Sequence, residues 1–143
     1  MKYYQIEPEV AGGIGEHSEI DRSSGKMVVR KLHYYFDGWL GDVLLESCPC
    51  FIVTEAAKKK LQSIGATGIK FDKVEVTTSA FFQDRYPNRQ LPKFVWLQID
   101  GKPGQDDFGI APSPGLVISE RALVVLKGLG ISNALVTPFE EGQ

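Results

Sequence analysis

Apolar residues fall along this chain in two rhythms, and the switch between them occurs twice. Phe51-Ile52-Val53 and Leu116-Val117-Ile118 are short unbroken apolar runs, the pattern of buried strands. Each passes at once into a helical period. Ala57, Leu61 and Ile64 stand at i, i+4 and i+7, and Ala122, Leu126 and Leu129 repeat that seam. Between run and seam stand Thr54 and Ser119, where a hydroxyl accepts a free backbone N–H of the first turn; losing such a cap costs about 1 kcal/mol. Glu55 and Glu120 follow, placing a carboxylate at the positive end of the helix dipole. Gly65 and Gly130 come just after the last seam residue, where a left-handed C-cap is usual. The chain then returns to strand from Ile69 through Val76 and from Ala134 through Phe139. A strand–helix–strand passage of this length predicts a parallel, right-handed crossover.

A shift of 65 positions lays 27–76 on 92–141 without a gap. Leu32 meets Leu97, Asp42 meets Asp107, Pro49 meets Pro114 and Glu75 meets Glu140. Coincidences at caps, seams and terminators together mark an internal duplication. A strand candidate precedes each unit: MVVRKLHYYF at 27–36 before Asp37-Gly38, and FVWLQI at 94–99 before Asp100-Gly101. Asp-Gly after such a run is a turn signal. The prediction is an α+β fold: a mixed sheet built from two tandem strand-turn-strand-helix-strand pseudo-repeats with one main helix each. A single domain spans 1–143, with pseudo-repeats at 27–77 and 92–141. Residues 1–26 supply an edge strand (Lys2 to Ile6) and a Gly-rich polar loop, and 78–91 form a linker with turn chemistry at Tyr86-Pro87-Asn88. Two copies are too few for a solenoid, so they are expected to share one core. Lys58, Lys59 and Lys60 lie off the first seam, on a solvated face. Leu123, Val124 and Val125 make the second helix apolar almost all round, which predicts deeper burial.

Composition adds exclusions. A length of 143 residues suits one domain with a real core. With 43% hydrophobic and 24% charged residues the chain is neither fibrous, disordered nor membrane-embedded. A net charge of −2 argues against a nucleic-acid binder and mildly favours a basic partner. The opening MKYYQIEPEV has no apolar stretch fit for a signal peptide, and no apolar run approaches the roughly 20 residues that span a bilayer. A cytoplasmic protein is the expectation.

Candidate chemistry is sparse. Cys48 and Cys50, separated by Pro49, would close a tiny, strained disulfide loop, and they read as two small thiols beside a strand. His17 and His33 show no metal-ligand spacing. Asp107-Phe108-Gly109 spells the magnesium-binding tripeptide of protein kinases, but no glycine-rich phosphate loop or HRD motif accompanies it. Asp42 and Asp107 therefore read as positional turn residues. Gly12-Gly13-Ile14-Gly15 lacks GxGxxG spacing and reads as a flexible loop. Asp106-Asp107 and Glu140-Glu141 have no ligand pattern around them and read as solvated turn and tail residues. Aromatics in loops are the better lead: Trp39 in the Asp37–Gly41 turn, and Phe81, Phe82 and Tyr86 in the linker beside Arg85 and Arg89. These types either cover a core or anchor protein–protein interfaces.

From Asp107 to Glu140 the chain reads Asp-Phe, Pro-Gly-Leu-Val-Ile-Ser-Glu-Arg-Ala, Gly-Ile-Ser-Asn-Ala and Pro-Phe-Glu in order. This pattern resembles the C-terminal part of bacterial polymorphic-toxin immunity proteins, in the broad group that includes the double-CxxCG proteins. The stretch from Phe51 to Val76 is similar to the upstream version of the same unit. The CxxCG motifs themselves are absent, and with them any zinc site of that subgroup. The resemblance implies a non-catalytic immunity protein that binds one cognate toxin C-terminal domain, 1:1, in the cytoplasm, with a homodimer left open. No cofactor, metal, nucleic acid or membrane is expected. Trp39, Asp42, Phe82, Arg85, Tyr86, Arg89, Asp106 and Asp107 are the candidate partner-binding residues. The alternatives are a small-molecule-binding or regulatory module with an apolar pocket between the units, and a small hydrolase or transferase using His17, His33 or the carboxylates.

Overall fold

The computed structural model describes residues 2–112 and 115–140; Pro114 and Glu141 lie outside them. The chain runs β1 (Tyr3–Glu7), β2 (Gly12–Ile14), β3 (Glu19–Asp21), β4 (Val28–Lys31), β5 (His33–Phe36), β6 (Leu44–Ser47), β7 (Cys50–Thr54) and α1 (Glu55–Ser63). It continues through β8 (Ile69–Asp72), β9 (Glu75–Thr78), α2 (Ala80–Arg85), β10 (Phe94–Ile99), β11 (Phe108–Ala111), β12 (Gly115–Ser119), α3 (Glu120–Leu129) and β13 (Leu135–Pro138). The fold is α+β. Thr54 and Ser119 cap α1 and α3, each accepting the N–H three residues on. Gly65 then takes the left-handed conformation at φ +65°, which favours a residue without Cβ.

Two four-stranded sheets share one plan, β6-β7-β10-β8 and β11-β12-β1-β13. In the first, Trp96 on β10 pairs with Ile52 and Asp72; in the second, Gln5 on β1 pairs with Val117 and Thr137. The two sets of partners are 65 positions apart, so β1 occupies in one sheet the place that β10 occupies in the other. Two expectations change here. The N-terminal strand is central, not an edge, and the 27–36 run is not the counterpart of Phe94–Ile99. That run divides at Leu32 into β4, paired with β3, and β5, paired with β2 and β9. The break has a local cause: the Gly15–Ser18 turn takes up the backbone of His33. Gly15 N–H donates to its carbonyl (2.7 Å) and its own N–H donates to Ser18 Oγ (2.8 Å).

The predicted strand from Ile69 to Val76 also divides. The Asp72 carboxylate accepts the Lys73 N–H (2.8 Å), turning β8 into β9, which joins a different sheet. The Gly-rich stretch forms a strand where a flexible loop was expected. A Cβ on Gly12 would lie 1.8 Å from the Tyr35 carbonyl oxygen, so only glycine permits this pairing.

The period of two along β7 and β10 sends their side chains into two cores. Phe51, Val53, Val95 and Leu97 face Ile6, Phe108, Leu116 and Ile118 of the second sheet, with Ala57, Leu61, Leu123 and Leu126 from the helices. These side chains fill most of the space between the two units, and an apolar hollow of about 250 Å³ remains beside them, lined by Phe51, Leu97, Ile99 and Ile110 among others. Ile52, Phe94 and Trp96 face the opposite way, onto Leu32 at the break before β5, Tyr34 and Phe36 of β5, and Phe82 of α2. The elements that have no counterpart in the second sheet, β5 and α2 among them, therefore form a layer on the first sheet. In α3 Leu123 is buried, but Val124 remains 65% exposed despite the apolar run around it.

Candidate functional site

The added layer brings together residues far apart in sequence. Ser79 Oγ accepts the Phe82 N–H (2.9 Å) and starts α2, a short helix within the stretch read as a linker. Phe82 on its inner side is buried against Phe36 and Tyr86, so it supports the surface from beneath. Arg89 lies over the Trp39 ring at 4.5 Å and over Tyr86 at 5.4 Å. Arg85 reaches the rings of Tyr86 and Phe81, each at 6.0 Å. Trp39 is held by an Nε1–H bond to the Asp42 carbonyl (2.9 Å) and an edge contact with Phe94. A hollow of about 530 Å³ adjoins this row, lined by Glu9, Val10, Trp39, Leu40 and Tyr86 among others. Val10, Leu40 and Phe81 are each more than 60% exposed. Arg85 and Arg89 are exposed and form no ion pair among the described residues.

At the floor of the hollow, the buried Glu9 carboxylate accepts the N–H groups of Leu40 (2.6 Å) and Asp42 (3.2 Å). Burial pushes its pKa up from the ordinary value, against the pull of those two bonds. Glu9 thus ties the Trp39 turn to the start of the added layer. No motif marks it in the sequence; its only signal is a carboxylate two residues past a strand.

Asp42 and Asp107 are buried and internally satisfied, which removes them from the surface. Asp42 accepts the backbone N–H (3.0 Å) and side-chain amide (2.8 Å) of Asn133. Asp107 accepts Ser119 Oγ (2.6 Å), the Thr67 N–H (2.8 Å) and a two-pronged contact from Arg121 at 2.8 and 2.6 Å. The Arg121 guanidinium holds the Asp107 carboxyl well below the usual carboxylate range, more than offsetting its burial. Arg121 also donates to the Ile64 carbonyl (2.8 Å), at the C-terminal end of α1 where acceptors are otherwise free. Asp106 accepts the Lys102 N–H (2.8 Å) and closes a turn. Asp106 and Asp107 lie apart from the arginine–aromatic row, at the junction of the two units.

A second cluster escaped the sequence because its members meet only through the fold. β5 and β9 pair in parallel with His33 opposite Glu75, and the Gly15–Ser18 turn lays His17 on top. The two imidazoles stack with centroids 4.7 Å apart, and His17 Nδ1 lies 2.8 Å from Glu75 Oε2. That hydrogen bond lowers the Glu75 pKa. His33 is buried, with Nε2 2.6 Å from Thr77 Oγ1. Elsewhere, Cys50 is buried and its thiol is pushed up to about 11, chiefly by burial, so it is inert as a nucleophile near neutral pH. Cys48 is exposed.

Compared with known proteins, the sequence matches no family model and no curated relative. No helix among the described residues is long and apolar enough to cross a membrane.

Proposed function

We propose that this chain is an immunity-type protein: it acts in the cytoplasm by binding a cognate toxin's C-terminal domain, 1:1, and blocking it, with no chemistry of its own. The observation that carries the reading is the surface row in which exposed Phe81, Arg85, Arg89 and Leu40 surround half-buried Tyr86 and Trp39. Aromatic rings and arginine are the residue types enriched at the energetic centre of protein interfaces. This row stands on the added layer, while the duplicated part carries buried contacts between Asp42, Asp107 and their partners. Such a division suits a rigid scaffold presenting one binding face. The resemblance of 107–140 to immunity proteins points the same way.

The charge of the face refines the expected partner. The chain's net −2 favours a basic toxin, yet Arg85 and Arg89 place two exposed cations on the face itself. The docked toxin surface therefore offers carboxylates, against which a guanidinium makes strong two-pronged bonds. The test begins with the gene immediately upstream. Its C-terminal toxin domain, expressed in a host, is expected to arrest growth, co-expression of this chain to restore it, and the two proteins to co-purify 1:1. Persistent arrest with no complex would refute the reading.

A further inference from the structure

Apart from the arginine–aromatic face, the turn that joins β2 to β3 carries a second set of chemically capable groups. We propose that His17, His33 and Glu75 bind a divalent first-row transition metal, with zinc the physiological candidate. The donor set is two imidazoles and one carboxylate, and one ligand atom from each lies within 4.8 Å of the other two. Nitrogen and oxygen donors of this kind suit zinc and its neighbours in the series, and three protein ligands leave a fourth position for water.

The hydrogen bonds determine which atoms bind. His33 Nδ1 accepts the His17 backbone N–H (3.2 Å), so in the neutral ring the proton sits on Nε2, which donates to Thr77 Oγ1 (2.6 Å). His33 therefore ligates through Nδ1. The bond to Thr77 fixes its tautomer and plane from behind, the arrangement commonly found around metal-bound histidine. The weaker 3.2 Å contact from His17 is what the metal displaces. Gly15 keeps the ring's near side clear: a Cβ there would lie 2.1 Å from His33 Nδ1.

His33 is the fixed member, and the other two close on it. Ligand atoms around tetrahedral zinc lie about 3.3 Å apart, given bonds of ~2.0–2.1 Å. His17 and Glu75 side chains are 54% and 37% exposed, so both are free to make up the remaining distance. His17 must turn off its stack on His33, because two parallel rings cannot both point a nitrogen at one ion. The Glu16 carboxylate lies 3.8 Å from His17 Nε2. Bound metal would tie the Gly15–Ser18 turn to β5 and β9.

The test is titration of the full chain with zinc chloride, followed calorimetrically, and with cobalt chloride, followed by visible absorption. A Cys48→Ser background removes the exposed thiol as a competing ligand. One metal per chain and the intense visible bands of four-coordinate cobalt are expected. His17→Ala and Glu75→Gln, both at exposed side chains, should weaken binding by at least about tenfold. Thr77→Val, one shell out, should weaken it by about tenfold. Circular dichroism without metal checks that the variants fold. Absence of saturable binding, or binding unchanged by His17→Ala and Glu75→Gln in folded protein, would overturn the proposal. Neither outcome bears on toxin binding, because the two sites share no lining residue.

Discussion

Asp42 and Asp107 make the same connection in opposite directions: each carboxylate, at equivalent positions of the two units, holds the loop that follows the other unit's helix. Asp107 binds the Thr67 N–H after α1, and Asp42 binds the Asn133 N–H after α3. Each unit thereby fixes the exit of its neighbour's crossover. The strands do likewise, since β1 and β10 each complete the sheet of the unit that is not next in the chain. The two latches differ in their donors. Only Asp107 has an arginine, because Ala56 stands where Arg121 stands in the second copy.

Asp107→Asn should therefore cost the fold about 2–3 kcal/mol, within the range for hydrogen bonds to a charged group and below that for a fully buried ion pair, since Arg121 is half-exposed. Asn133→Ala, which removes one neutral-donor bond to Asp42, should cost about 1 kcal/mol. Urea unfolding of both variants measures the difference. Equal losses would mean that Arg121 adds nothing to the latch.

The same carboxylate sets an acid limit. The folded-state pKa of Asp107 is depressed, so the unfolded chain binds the proton more readily. Its contribution is fully present above the unfolded value of about 3.9 and fades as pH falls from there toward the folded value. Wild type and Asp107→Asn should differ in unfolding free energy at pH 6 and converge below about pH 4. A gap that persists undiminished to pH 2 would place the stabilisation in something other than the ionised carboxylate.

Two glycines near this junction make a ranked prediction. Gly65 has φ +65° with open space around it, so Gly65→Ala costs only the left-handed penalty, about 1–2 kcal/mol. Gly68 has φ +85°, and a Cβ there would meet the Phe108 carbonyl oxygen at 2.3 Å. Backbone cannot yield as a side chain tip can, so Gly68→Ala should be clearly the worse of the two by thermal unfolding. The reverse order would show that Phe108 does not lie so close.

What the sequence made legible were features with local causes. Caps at Thr54 and Ser119, the Ala57–Leu61 and Ala122–Leu126 seams and the Gly65 stop are each read from neighbours within one helix. The partner of β1 was not legible, because Tyr3 and Ser119 are joined by a register that no short pattern encodes. The 65-residue offset even misled at 27–36, where likeness to 94–99 is apolar content alone. Of the candidate residues, Trp39, Arg85, Tyr86 and Arg89 share one face with buried Phe82 beneath it. Asp42 and Asp107 were singled out by their repetition, and repetition marked a structural latch. His17 and His33 show no metal-ligand spacing in the sequence, because parallel pairing of β5 with β9 is what brings Glu75 to them.

The central claim rests on the arginine–aromatic face, and the affinity of the purified chain for its neighbouring toxin domain tests it most directly. Arg89→Ala, which strips the cation from Trp39 and Tyr86 at an exposed position, should weaken the complex by about 30-fold or more, the scale of an interface hot spot of ~2 kcal/mol. Lys59→Ala, on the solvated side of α1, should leave the affinity unchanged. Equal affinities for wild type, Arg89→Ala and Lys59→Ala would contradict the account.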